Sequence, residues 1–244
     1  MDQNADAAAV RGNPSFVWRA GQERRLALVQ HYVPLNGKRV LDMGCGLGMY
    51  THAFQQCGAR AGGVEVEYLR AVEAKTRAAW VSQSVGEHLP FASQQFDVVF
   101  SNEVLEHVTD DRACAREMVR VTRPGGFIVL FVPNRLYPFE THGIYWKGQY
   151  YFGNKPLVNW LPDPWRNRLA PHVRAYTGGG LRRLFAGLPV KVKLLTQVYP
   201  GYDKVALRRP ALSKVLRGIT YTLERTPLRI FGLSHFMVVE VVPT

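Results

Sequence analysis

Val40-Leu41-Asp42-Met43-Gly44-Cys45-Gly46-Leu47-Gly48 is the stretch that decides the fold. Two apolar residues and an acid run into three glycines at alternate positions, the pattern of a buried parallel strand entering a tight turn. Glycine has no Cβ, so such a turn can adopt φ > 0 and let a ligand lie against the backbone. A helix over Met49 to Gln56 completes a strand-turn-helix unit of the kind that binds nucleotide-like ligands beyond the carboxyl end of the strand.

The glycine spacing narrows the ligand. A dinucleotide fingerprint reads G-x-G-x-x-G/A, but here Met49 stands at the third glycine's place and Gly48 comes one residue early. Three further motifs follow in order. Gly62-Gly63-Val64-Glu65 reads as a second strand ending in an acid. Glu65 lies 21 residues after Gly44, close to the spacing of about 20 at which a carboxylate accepts ribose hydroxyl protons. Gly86-Glu87-His88-Leu89-Pro90-Phe91 precedes Phe96-Asp97-Val98-Val99-Phe100-Ser101-Asn102-Glu103-Val104-Leu105-Glu106-His107-Val108. Val121-Thr122-Arg123-Pro124-Gly125-Gly126-Phe127-Ile128-Val129-Leu130 then reads as a turn into another strand.

Together these stretches resemble the class I S-adenosylmethionine-dependent methyltransferases, in the methyltransferase type 11 subfamily that includes the ubiquinone and menaquinone methyltransferases. The likeness covers about Leu35 to Pro133, and more loosely Tyr176 to Val198. It implies a doubly wound, seven-stranded, mostly parallel α/β sheet of Rossmann-like kind, with an antiparallel seventh strand. It implies S-adenosylmethionine as cofactor. The implied contacts are the loop residues Asp42, Gly44, Cys45, Gly46 and Gly48, then Glu65 on the ribose, Gly86 and Glu87 beside adenine, and Asn102 toward the methionine moiety. One departure stands out: Val85 aligns with the Asp usual in the adenine segment, so that contact is either missing or supplied by Glu87.

The pattern of elements agrees. Strands are expected at about 39–43, 60–65, 80–84, 96–101, 126–132, 190–198 and 236–242, with helices between them, notably Asp110 to Val121. Phe16 to Val33 has helical spacing, with Trp18, Leu26, Val29 and Val33 on related faces, and is expected to cover the cofactor site. Residues 1–13 are polar and Ala-rich and are expected to be disordered, ahead of a single domain over 14–244.

Two segments interrupt the family pattern, at about 134–172 and 200–233. The first is rich in Tyr, Trp, Phe and Pro; the second holds a basic amphipathic stretch from Leu212 to Arg225. Both leave the ends of parallel strands, so both should begin above the site and form one cap. Charge falls in the same place. Residues 134–233 hold 17 Lys and Arg against Glu140, Asp163, Asp203 and Glu224, a surplus of 13 in a chain of net charge +12. Such asymmetry attracts an anion. An aromatic and basic cap suits a small or lipid-like acceptor with an apolar body and an anionic group. Leu212 to Arg225 reads either as a buried amphipathic helix or as contact with an anionic membrane surface.

Catalytic candidates are His107, in the family motif, and Glu140 and His142, in a Glu-Thr-His triplet of the insertion. Imidazole titrates near neutral pH and so serves as a general base. Each also has a structural reading: His107 packing a helix start, the triplet bonding within the lid, and His172 likewise. The three cysteines lack C-x-x-C spacing, and no metal site is expected. The start of the chain has no basic or apolar leader, and the longest apolar run, Phe127 to Val132, is far short of a membrane span. A cytoplasmic protein is expected, with a peripheral place at the inner membrane face as the alternative that membrane contact by Leu212 to Arg225 would bring. The function expected is O-methylation of an amphiphilic or anionic metabolite, such as a quinol precursor, a glycolipid or a lipid-linked sugar. RNA methylation and cofactor binding without catalysis are the alternatives. Nucleic acid is disfavoured, because strand 4 ends in Ser101-Asn102-Glu103-Val104 rather than the Asn-Pro-Pro-Tyr of amino-group methyltransferases.

Overall fold

The structure is a computed structural model and describes residues 17–243. Helix α1 (Ala20–Tyr32) is followed by β1 (Arg39–Met43), α2 (Met49–Gln56), β2 (Arg60–Glu65), α3 (Tyr68–Ala74) and β3 (Val81–Gln83). Next come β4 (Phe96–Asn102), α4 (Asp111–Val121) and β5 (Thr122–Pro133). An inserted segment holds β6 (Phe139–Glu140), β7 (Ile144–Trp146), β8 (Gln149–Tyr151), β9 (Lys155–Pro156), a short 3-10 turn (Val158–Trp160) and α5 (Asp163–Leu169). The chain ends with α6 (Gly178–Leu184), β10 (Val190–Val198), α7 (Asp203–Arg208), α8 (Pro210–Leu223), a 3-10 turn (Pro227–Phe231) and β11 (Ser234–Val241). The expectation of disorder over 1–13, and the start of the first expected helix at Phe16, lie outside the described residues.

Seven strands form one sheet in the order β10-β11-β5-β4-β1-β2-β3. β11 runs antiparallel to both β5 and β10, while β1, β2, β3, β4 and β5 pair parallel. This is the doubly wound, mostly parallel α/β arrangement expected from the motifs. Burial on both faces explains the near-continuous apolar strands. Side chains alternate across the sheet with period two. Leu41, Met43, Val99 and Leu130 pack on one face with Met118 of α4, and Val40, Phe100, Val129 and Phe131 pack on the other with Phe54 of α2.

β5 begins at Thr122, earlier than expected, because Thr122 pairs with Phe96 ahead of an irregularity in the β4–β5 register. The turn at Gly125 (φ 75°) is therefore absorbed into the strand. α4 starts where Asp110 caps it, its carboxylate accepting a 2.9 Å hydrogen bond from the Ala113 amide.

Both insertions leave the carboxyl ends of parallel strands, β5 and β10. The first is built from two small antiparallel pairs, β6 with β9 and β7 with β8. The two segments meet. Asn134 donates from Nδ2 to the carbonyls of Ile230 and Gly232, both at 2.7 Å. Lys204 Nζ lies 5.8 Å over the Phe152 ring, and Trp160 contacts Phe231. Among the described residues no helix is long and apolar enough to cross a membrane.

Candidate active site

A cavity of about 760 Å³ opens at the carboxyl ends of β1, β2 and β4 and is walled by the start of α1 and by both insertions. Asp42, Gly44, Cys45, Gly46, Glu65, Gly86, Glu87, Asn102, His107 and His142 all line it. Gly48 and Glu140 do not. Gly48 caps α2 from a left-handed conformation (φ 78°), its amide bonded to the Cys45 carbonyl. It shapes the loop rather than the wall.

The glycine loop is held by its own acids. Gly44 sits at φ 75°, and a Cβ there would stand 2.4 Å from Val104 Cγ2, so only glycine fits. The Gly46 amide donates to Glu65 Oε2 at 2.9 Å, and the Glu67 amide donates to Glu65 Oε1 at 3.0 Å. Each carboxylate oxygen retains a second lone pair for a ribose hydroxyl. Glu67, by contrast, pairs with Arg70 at 2.9 Å. Asp42 is 2% exposed and accepts a 2.7 Å hydrogen bond from Thr51 Oγ1. Burial pushes its carboxyl up to about 7; the Thr51 bonds pull the other way, and the Glu65 charge adds to the rise.

In the adenine segment Val85 is exposed and lines the cavity with Gly86 and Glu87. One oxygen of Glu87, Oε1, already accepts the amides of Thr109 and Asp110 at 2.8 and 3.1 Å. The chain thus ties Glu87 to the loop before α4, which leaves only its other oxygen for an adenine amino group.

A half-buried polar network that sequence reading missed lies beside Asn102. Arg25 of α1 donates to Asn102 Oδ1, to Glu103 Oε1 at 2.9 Å and to Ser234 Oγ at 2.8 Å, and its guanidinium covers the Phe131 ring. Glu103 sits at φ 55°, the left-handed region that non-glycine residues rarely take. Burial works against its charge, but Arg25, His142 and Ser234 outweigh it and hold Glu103 below the usual carboxylate range. Glu106 next to it goes the other way. Burial and the Glu103 charge push Glu106 well above that range, so it carries the proton that the two carboxyls share.

The three catalytic candidates divide into two at the wall and one behind it. His107 and His142 face each other with ring centroids 5.2 Å apart. Burial, then the nearness of His142, lowers His107 to about 4, so this imidazole is neutral. Glu140 sits behind, 2% exposed. It takes the His142 amide at 2.9 Å and the His142 ring Nδ1 at 3.0 Å on Oε1, and Arg166 Nη2 at 2.8 Å on Oε2. Burial raises Glu140, but His142 and Arg166 together bring it below its ordinary value. Glu140 therefore lies behind His142, off the cavity wall. His172 packs on Tyr145 and Tyr150, away from the cavity wall. Among the described residues, Glu106, His107 and His142 bring potential ligand atoms within 4.8 Å of one another. The three cysteines are free thiols.

Residues 41–130 match the family described as a methyltransferase domain. A ubiquinone biosynthesis O-methyltransferase of Erwinia tasmaniensis is 35% identical over 115 residues, 44% of this chain and 47% of that protein. An uncharacterized methyltransferase of a Mycobacterium species is 41% identical over 108 residues, 43% of each chain. The matches thus span less than half the length of these curated relatives. A crystal structure of an S-adenosylmethionine-dependent methyltransferase from Mesorhizobium loti superposes with a TM-score of 0.61 at 17% identity, over 91% of this chain and 98% of that one. At that identity the likeness is one of fold.

Proposed function

We propose that this chain, whose residues 41–130 match a methyltransferase domain, uses S-adenosylmethionine to methylate an oxygen of a small amphiphilic or anionic acceptor. A quinol precursor, a glycolipid and a lipid-linked sugar fit that description. The observation that carries the proposal is that one cavity unites the Gly44–Gly46 loop and Glu65 with an imidazole, His142, backed by the buried Glu140–Arg166 pair. The named likeness to a ubiquinone biosynthesis O-methyltransferase favours a hydroxyl as the acceptor group.

The residues fit the cofactor. Glu65 has lone pairs to spare toward ribose hydroxyls, Asp42 offers a carboxyl toward the cationic methionine part, and the glycines leave the backbone open. When bound, the cofactor supplies an electrophilic methyl carbon on a sulfonium. The chain's own part is to orient and to move a proton. Orientation of two reactants contributes up to roughly 7–11 kcal/mol. With Nδ1–H given to Glu140, the His142 Nε2 is left to accept the acceptor's hydroxyl proton, and the Glu140 carboxylate steadies the imidazolium that results. Phe152, Tyr150 and Tyr199 supply an apolar wall for the acceptor body.

Incubating the protein with isotope-labelled S-adenosylmethionine and a cell extract, then separating lipid, RNA and small polar fractions, tests this. Label in the lipid or small polar fraction supports the proposal. Label in RNA refutes it in favour of a nucleic-acid methyltransferase. No label with cofactor binding intact refutes it in favour of a non-catalytic role.

A further inference from the structure

Helix α8 leaves much of its apolar side exposed. Leu212, Val215, Leu216, Ile219 and Leu223 form one stripe at helical spacing. The positions buried against the domain, however, are Ser213 and Thr220, with Leu216 and Leu223 half-buried beside them. Leu212, Val215 and Ile219 stand at the surface, with Val215 57% and Ile219 56% exposed. α8 packs against α7 and against the Pro227–Phe231 turn, and both bring more exposed apolar side chains, Leu207 from the one and Leu228 and Ile230 from the other. Single exposed apolar residues are ordinary, but a contiguous patch rimmed by polar groups marks an interaction site.

The rim is basic and uncompensated. Lys204, Arg208, Arg209, Lys214, Arg225 and Arg229 are all exposed. The two acids of the segment are taken, Asp203 by Arg217 at 3.3 Å and Glu224 by Arg24. Among the described residues no ion pair engages any of these six bases. A second copy of the same face would set those charges against their like, which disfavours self-association. Aliphatic side chains ringed by Lys and Arg suit the headgroup boundary of an anionic bilayer, where the first enter the acyl edge and the second meet lipid phosphates.

The face is continuous with the cavity mouth. Phe152 lines the cavity and is itself 57% exposed, and Lys204 of α7 lies over its ring. Tyr199, Pro200 and Gly201 line the cavity and lead directly into α7. We infer that α7, α8 and the Pro227–Phe231 turn form a docking face for an anionic membrane surface, which sets the cavity mouth beside the bilayer. The inference rests on the amphiphilic acceptor proposed above and gives that acceptor its route.

Co-sedimentation of the full chain with vesicles tests it. One set is phosphatidylcholine alone; the other contains about 30% phosphatidylglycerol. The expected result is binding to the anionic vesicles at least about tenfold stronger than to the neutral ones, weakening with salt. Val215→Asp with Ile219→Asp should lower that binding about tenfold or more, since apolar burial is lost. So should Lys214→Glu with Arg225→Glu. S-adenosylmethionine affinity, read by calorimetry on the same samples, should be unchanged in both. Equal binding to both vesicle types, or anionic binding indifferent to the Val215 and Ile219 changes, overturns the inference. So does a chain that ignores vesicles but forms a concentration-dependent dimer abolished by Ile219→Asp. Intact cofactor binding with no vesicle binding sinks this inference alone, whereas loss of cofactor binding in the unaltered chain would sink the proposed function.

Discussion

Asp42→Asn isolates the cost of one buried carboxyl. Asp42 is 2% exposed, and burial raises it from 3.8 to about 7. The sign follows from which state holds the proton. Below about pH 4 the carboxyl is protonated in both states and contributes nothing. As pH rises, the unfolded chain releases the proton while the folded chain keeps it, so stability falls by about 1.4 kcal/mol for each pH unit. The loss ends near pH 7, where the folded state ionises too, at a total of about 4 kcal/mol. Asparagine still accepts the Thr51 hydroxyl but carries no charge. Its advantage should therefore grow from small near pH 4 to about 4 kcal/mol at pH 8. At about 2–4 °C per kcal/mol, that is roughly 8–16 °C in Tm. Urea unfolding of both proteins across this range, without cofactor, cancels every other titrating group in the difference. A flat difference, or one that grows toward acid, would refute the reasoning. The gain has a functional cost. A cationic cofactor favours the carboxylate, so calorimetry above pH 7 should find S-adenosylmethionine binding weaker in the variant.

His142→Gln should lower kcat about 10²- to 10⁴-fold with cofactor affinity kept; unchanged turnover would remove His142 as the base. Arg166→Met strands a buried carboxylate, Glu140, and should cost about 3–5 kcal/mol in chemical unfolding. Adding Glu140→Gln should recover part of that loss, and strictly additive losses would deny the pairing. Gly44→Ala forces a side chain to φ 75° against Val104 and should destabilise the loop by about 1–3 kcal/mol. Val104→Ala should relieve the contact but not the backbone strain, and full rescue would show that the strain is absent. Glu65→Ala should weaken S-adenosylmethionine binding at least about tenfold, by removing charge-assisted acceptors; unchanged affinity would end the ribose assignment.

The fold was legible because its signals are local and periodic. The run from Val40 to Gly48 codes its own strand, turn and helix start, and the structure has that strand at Arg39–Met43 and the helix at Met49–Gln56. Parallel strands buried on both faces leave continuous apolar runs, which is why β1, β2, β4 and β5 stand out in the residue order. Glu65 could be picked out because its distance from Gly44 is set by one helix and one strand. The cap was visible only as composition, since its two-residue and three-residue strands are too short to show a period.

Residue order determined the sheet and the glycine loop, and it singled out Glu65. Tertiary structure alone decided the rest, because the deciding contacts join residues far apart in the chain. Arg25 meets Glu103 and Ser234 across 78 and 209 residues, a pairing that no local pattern encodes. Glu140 reads as a base beside His142 until Arg166, 26 residues on, locks it behind the wall. The stripe on α8 reveals that the helix has an apolar side, but periodicity cannot say which way that side faces. Only the packing of Ser213 and Thr220 against the domain turns Leu212, Val215 and Ile219 outward, and the proposed membrane face rests on that orientation.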